Sequence, residues 1–233
     1  MLQEAKKLKL TNELRQLLHS IGNLRPIKKG TYLFSEGDVA TELYIINSGL
    51  VKVGKFSNKG RELSFRICQK DDIVGEFSLY AEPLKYLLHA KVIESGEVLA
   101  IKHDILEEEL YKNSHLAFEL MQWMNTIMRR DQMRLYDLVA HGKKGALYSI
   151  IIRLTNSYGE IRSDGILINI SLTNQELANF CGTARESVNR HLNELKRNEI
   201  ISYKNGRMIV HDLEYLRREI NCDQCPVIIC SIH

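Results

Sequence analysis

The chain has 233 residues, 44% of them apolar and 26% charged, a balance that excludes a wholly disordered chain. It contains no uninterrupted apolar run near the roughly 20 residues that a membrane-spanning helix needs, which excludes an integral membrane protein, and no membrane partner is expected. The net charge of +3 is small but uneven: residues 1–112 carry 17 Lys/Arg against 16 Asp/Glu, whereas residues 140–218 carry 12 against 8. A nucleic-acid surface would therefore be sought in the later segment.

The first residues, MLQEAKKLKLTNELRQLL, are charged throughout and lack the apolar core of a secretory signal. The expectation is a cytoplasmic protein, where five cysteines do not make a disulfide framework. From about 26 to 103, short runs rich in Val, Ile, Tyr and Phe (31–34, 42–56, 61–68 and 91–101) alternate with glycines. Such spacing predicts an all-β sandwich or barrel, without distinguishing the two.

From about 104 the pattern becomes helical. Ala117, Met121, Met124, Met128, Asp131, Leu135 and Leu138 are spaced 4, 3, 4, 3, 4 and 3 apart, with no Pro or Gly between 113 and 141. That spacing predicts a coiled-coil seam, with Asp131 its one polar member. A second stripe, Leu116, Leu120, Trp123 and Ile127, would pack on the β-domain. Two apolar faces suggest one for the β-domain and one for a second copy, a homodimer. The alternative is a single helix buried in one domain. Gly142 and Gly145 then mark a hinge.

A second domain follows at 146–218: a helix, a strand at 166–171, two short helices and a hairpin around Asn205-Gly206. Asn-Gly supplies the two positive φ angles of a type I′ turn. Thr173 with Glu176, and Thr183 with Glu186, both have capping-box spacing. Two helix starts ten residues apart, with Cys181-Gly182 between them, give a helix-turn-helix that the hairpin makes winged. Arg185, Glu186, Asn189 and Arg190 would share the face that meets base edges in the major groove. Arginine donates bidentately to guanine, and glutamate accepts from cytosine. A purely structural account is also open: Glu186 caps the helix and pairs with Arg190 at i, i+4.

The last twelve residues hold Cys222, Cys225 and Cys230 in a C-x2-C-x4-C run. Thiolates spaced in this way suit an iron–sulfur cluster. A zinc site closed by His233, a reversible Cys222–Cys225 dithiol and an incidental tail remain open. Cys68 and Cys181 fall within a strand and a helix and are expected as core thiols.

Three stretches, KKGTYLFSEGD, LYIINSGLVKV and DDIVGEFSLY, together with TNQELANFCGTARESVNRHLNEL, resemble the Crp/Fnr family of bacterial transcription regulators over nearly the whole length. The resemblance implies an α+β architecture: a cyclic-nucleotide-binding-like β-barrel sensor domain (1–112), a dimerisation helix (113–141), a winged helix-turn-helix domain (142–218) and a cysteine tail (219–233). It also implies a dimer that reads a TGTGA-type palindrome in double-stranded DNA and contacts RNA polymerase, with Arg185, Glu186 and Arg190 as base readers and Asn189 a further candidate. Members that bind cyclic nucleotide follow Gly-Glu with an Arg-Ser pair that grips the phosphate. Here Gly75-Glu76 is followed by Lys85-Tyr-Leu-Leu-His-Ala90, so no cyclic nucleotide is expected, and Glu76 reads as a turn residue.

The tail is similar to that of the Bacillus-type Fnr branch. That likeness implies one [4Fe-4S] cluster per subunit on Cys222, Cys225 and Cys230, with Asp137 as the fourth ligand and Asp223 or His141 as alternatives. A cluster there would pin the tail to the dimer helix across Gly142, and oxygen would release it. Two other functions compete. One is a thiol oxidoreductase or iron–sulfur enzyme, opposed by the lack of a thioredoxin-like βαβ pattern, a phosphate-cradling glycine loop or a catalytic triad, so no enzyme is expected. The other is a constitutively active regulator with a zinc-bound or incidental tail.

Overall fold

A computed structural model of the chain describes residues 10–76 and 84–233. The first nine residues and the end of the DDIVGEFSLY stretch, 77–80, lie outside the described residues. The chain forms two compact units, one chiefly of residues 8–126 and the other of 127–232.

The first unit opens with helix α1 (Asn12–Ile21), capped where the Thr11 hydroxyl accepts the Leu14 N–H at 3.2 Å. Strands β1 (Asn23–Ile27), β2 (Tyr32–Phe34), β3 (Glu42–Phe56), β4 (Glu62–Cys68), β5 (Ile73–Val74) and β6 (His89–Lys102) follow, then helix α2 (His103–Lys112). They form one sheet in the order β1-β6-β3-β4, with β2 paired to β6 and β5 to β3. The long strands β3 and β6 run antiparallel, Tyr44 opposite Ala100 and Ile45 opposite Leu99.

Alternation on these strands explains their nearly continuous apolar runs. Tyr44, Ile46, Val98 and Ala100 enter one buried cluster with Phe34 and Tyr86. Their neighbours Leu43, Ile45, Leu99 and Ile101 enter another with Leu14 and Leu18 of α1 and Leu106 and Leu110 of α2. Both faces of the sheet are covered, so neither can be polar. Mid-strand bulges in β3 bring Gly49 (φ +84°) and Gly96 against the opposing backbone. A Cβ on Gly49 would stand 2.6 Å from the Glu94 carbonyl oxygen, so only glycine fits there.

The 27-residue helix α3 (Ser114–Ala140) ends at His141, and Gly142 (φ +61°) turns the chain into α4 (Gly142–Tyr158). The hinge expected at two glycines rests on Gly142 alone. Gly145 lies inside α4, where a Cβ would strike His141, so its role is close packing. From Gly145 to Thr155 every residue of α4 is buried, making it the axis of the second unit. Around it lie β7 (Gly159–Arg162), β8 (Gly165–Ile168), α5 (Asn174–Phe180), α6 (Arg185–Arg197), β9 (Ile201–Lys204), β10 (Arg207–Val210) and α7 (Leu213–Glu219). The four strands form an antiparallel sheet in the order β7-β8-β10-β9. β9 and β10 turn through Asn205 (φ +51°) and Gly206 (φ +76°), the geometry that Asn-Gly favours.

Candidate functional site

The helix-turn-helix comprises α5, the left-handed Gly182 (φ +58°) and α6. Thr173 and Glu176 form the expected capping box. Thr183 and Glu186 do not. The turn amide of Thr183 bonds back to the Ala178 carbonyl at 3.1 Å, and helix α6 takes Ala184 as its cap with no side-chain bond. The Thr183 hydroxyl is left buried without a hydrogen-bond partner. Val188, Leu192 and Leu195 anchor α6, and Arg185, Glu186 and Arg190 are exposed on its other face. Glu186, freed from capping, can face a groove. Asn189 is half-buried and accepts a bond from the Asn174 amide of α5, which locks the two helices together.

Along α3, Met121, Met124, Met128 and Leu135 are 40–62% exposed, and Tyr136 and Val139 extend this apolar face. Leu138 is half-buried. Ala117, read as a seam residue, is half-buried and packs against the α1/α2 cluster beside Leu116, Leu120 and Trp123.

In the β-domain, Tyr86 is buried in the core between the long strands. Its ring stacks on Phe34 with centroids 3.8 Å apart, and its hydroxyl donates to the Glu42 carbonyl at 2.6 Å. Burial pushes that hydroxyl up to about 12, so it stays a neutral donor. Glu76 accepts the Leu87 N–H at 2.6 Å.

The cysteine tail folds back over its own unit. Cys222 caps α7, its N–H bonding the Arg217 carbonyl at 2.9 Å, and the Pro226 carbonyl accepts the Ile229 and Cys230 amides. Cys222, Cys225 and Cys230 line one partly open cavity with Asp137, His141, Ser149, Arg153 and Asp223. Residues more than eighty positions apart thus meet at one site. His233 does not line it. Asp137, the fourth ligand that the resemblance implies, is only 14% exposed: its Oδ2 accepts Ser149 Oγ at 2.6 Å and Arg153 Nη2 at 2.6 Å. His141 Nε2 stands 3.9 Å from the other oxygen, Oδ1.

Among the described residues, no three His, Cys, Asp or Glu side chains stand close enough to hold a single metal ion. A closed zinc site would draw four ligands onto one point. A cubane cluster asks something different, since each ligand takes a different iron. Three thiols and a carboxylate spaced around a cavity, with a guanidinium among them, suit that demand. A bond from the Cys230 thiol, with the nearby charge of Arg153, draws Cys225 down to about 7 against burial and Asp137. The same shared bond, with burial, pushes Cys230 up. One thiolate is thus available in the pair near neutral pH. Cys68 and Cys181 are buried, and burial raises Cys181 to about 12, so neither is a ready nucleophile.

The arginines of this region escaped the sequence reading. Arg130 of α3 donates through Nε and Nη2 to the Ile228 carbonyl at 3.1 and 2.9 Å. Arg153 Nη1 donates to the Ile229 carbonyl at 3.0 Å, Asn156 Nδ2 to that of Cys230 at 2.7 Å, and Ser157 Oγ accepts the Ile232 amide. Only contacts far apart in sequence reveal them.

A β-domain joined through one long helix to a winged helix-turn-helix with exposed arginines defines a two-domain regulator of the helix-turn-helix class. Residues 24–113 match the cyclic nucleotide-binding domain and residues 145–219 the Crp-like helix-turn-helix domain. The chain is 54% identical over 224 residues to the "Anaerobic regulatory protein" of Bacillus subtilis, covering 96% of this chain and 94% of that one. It is 29% identical to the "Lactate racemization regulatory protein" of Lactiplantibacillus plantarum, over 83% of this chain and 89% of that one. A solved structure of a CooA mutant from Carboxydothermus hydrogenoformans shares the fold at a TM-score of 0.76 and 16% identity, covering 91% of this chain and 95% of that one. The chain belongs to the Crp/Fnr family of DNA-binding transcription regulators.

Proposed function

We propose that this regulator controls anaerobic gene expression through an oxygen-labile [4Fe-4S] cluster held by Cys222, Cys225, Cys230 and Asp137. The observation that carries the reading is their convergence on one cavity, from the tail and from the end of α3. The cluster supplies oxygen-sensitive chemistry. The chain's own residues fix its consequences: the tail follows α7, and Asp137 precedes the Gly142 break. Holding both on one group ties the winged domain to the helix on the far side of that break.

The exposed α3 face, centred on Met124 and Met128, supports a homodimer. Two copies then present two recognition helices to the half-sites of a TGTGA-type palindrome, where Arg185, Glu186 and Arg190 read bases and the complex meets RNA polymerase in the cytoplasm. Tyr86 stacked on Phe34 supports a sensor domain that takes no cyclic nucleotide. The protein on this reading is not an enzyme. The test is fluorescence anisotropy on a labelled TGTGA palindrome, with protein purified anaerobically and then exposed to air. Affinity should fall as the cluster absorbance bleaches. Equal affinity before and after would refute the switch.

A further inference from the structure

Arg153 is the largest of the fully buried side chains, at 1% exposure, and it lines the cysteine cavity. A lone guanidinium in such a place is costly, so its contacts show what it is for. Its Nε and Nη2 both reach Oδ2 of Asp137, at 3.1 and 2.6 Å. Its Nη1 reaches the carbonyls of Ile229 and Ser231, at 3.0 and 3.4 Å. Those two residues flank Cys230. One planar fork therefore grips the carboxylate on α3 with one edge and the backbone on both sides of a tail cysteine with the other. Among the described residues that line the cavity, no other is a lysine or an arginine.

From this geometry we infer that Arg153 is the positioning residue and the buried counter-cation of the cluster site. This rests on the proposed cluster and deepens it. Because Arg153 and Ser149 both bond Oδ2, the carboxylate is held with Oδ1 directed elsewhere, toward the His141 side of the cavity. Three thiolates and one carboxylate place four negative charges around a [4Fe-4S] core of charge +2. The cluster with these four ligands keeps two negative charges, and the buried Arg153 guanidinium offsets half of them. Cluster potentials respond to net charge and burial, so this cation should set the potential as well as the geometry. Lysine would supply the charge but not the fork, since a single ammonium cannot span Asp137 and two carbonyls.

The test compares full-length wild-type protein with Arg153→Lys and Arg153→Gln after anaerobic reconstitution with iron and sulfide. Circular dichroism first checks that each metal-free variant is folded. Iron release to a chelator should be about 10–100-fold faster in both variants, the usual effect of removing a residue that orients a ligand. The reduction potential should fall in Arg153→Gln and stay near wild type in Arg153→Lys, which separates charge from positioning. If Arg153→Gln fails to fold, Arg153→Lys decides alone: wild-type release would overturn the inference. Wild-type release and potential in both variants would also overturn it and leave the proposed function standing. A wild-type protein that takes up no iron and sulfide would overturn both.

Discussion

Replacing Asp137 with asparagine should weaken the metal-free protein, quite apart from any ligand role. Asp137 Oδ2 accepts Ser149 Oγ at 2.6 Å and Arg153 at 2.6 and 3.1 Å, while Arg153 is only 1% exposed. Removing one partner of a buried pair costs about 3–5 kcal/mol, because the remaining charge cannot be rehydrated. Three features reduce that figure here. The Asp137 side chain is itself 14% exposed, and Arg153 keeps the carbonyls of Ile229 and Ser231. Asparagine also retains a neutral acceptor. About 2 kcal/mol remains, which for a unit of roughly a hundred residues lowers the melting temperature by about 10 °C. The assay is thermal unfolding of reduced, metal-free protein by circular dichroism, with hydrogen exchange at the Ile229, Cys230 and Ile232 amides. The tail amides should lose protection first. Adding Arg153→Met to Asp137→Asn should recover more than half of the loss, since it removes the stranded charge. A metal-free Asp137→Asn protein within about 0.5 kcal/mol of wild type would refute the buried-pair reasoning.

Arg185→Ala and Arg190→Ala should each weaken binding to the specific palindrome by about 5–150-fold, the equivalent of a bidentate base contact of ~1–3 kcal/mol, and affect random DNA much less. Asn189→Ala should act differently, lowering the melting temperature of the winged unit because its partner is Asn174; titration calorimetry and melting separate the two effects. Met124→Asp and Met128→Asp should shift sedimentation toward a monomer with the β-domain still folded, since both side chains are exposed on α3. Glu42 supplies a pH signature in the β-domain. Burial raises its carboxyl, but bonds from Arg25 and Tyr44 outweigh burial and leave it lowered. A lowered carboxyl stabilises above its ordinary range and loses that contribution as pH falls through it. Glu42→Gln should therefore destabilise at pH 7 and converge with wild type only once the pH has fallen below the lowered Glu42 carboxyl, as followed by urea titration across pH.

Features written in neighbouring residues could be read from the chain alone. Asn205-Gly206 announces its hairpin because both φ values are local demands, and Thr173 with Glu176 announces α5 because the capping box closes over three residues. The four-three spacing from Met121 to Leu135 marks an exposed face of α3, although Ala117 at its start is claimed by the α1/α2 cluster. Other elements carry weaker local signals. Helix α1 is short, and strand β7 is exposed at every position, so it shows no alternation. Thr183 shows the limit of motif spacing, since the tight turn after Gly182 hands the cap to Ala184. Arg130 and Arg153 lie 98 and 76 residues from the tail carbonyls they hold. Nothing near either residue in the chain marks such a partner. The cysteines were visible by their spacing, but the cradle that orders them exists only in three dimensions.

The central claim is that the tail and α3 together hold an oxygen-labile cluster. Iron and acid-labile sulfide, counted per chain in protein isolated without oxygen, test it most directly. Wild-type protein should carry about four of each per chain, with loss in air, and marked loss in Cys222→Ser, Cys225→Ser and Cys230→Ser. Stoichiometric zinc without sulfide, or a wild type as empty as the serine variants, would contradict it.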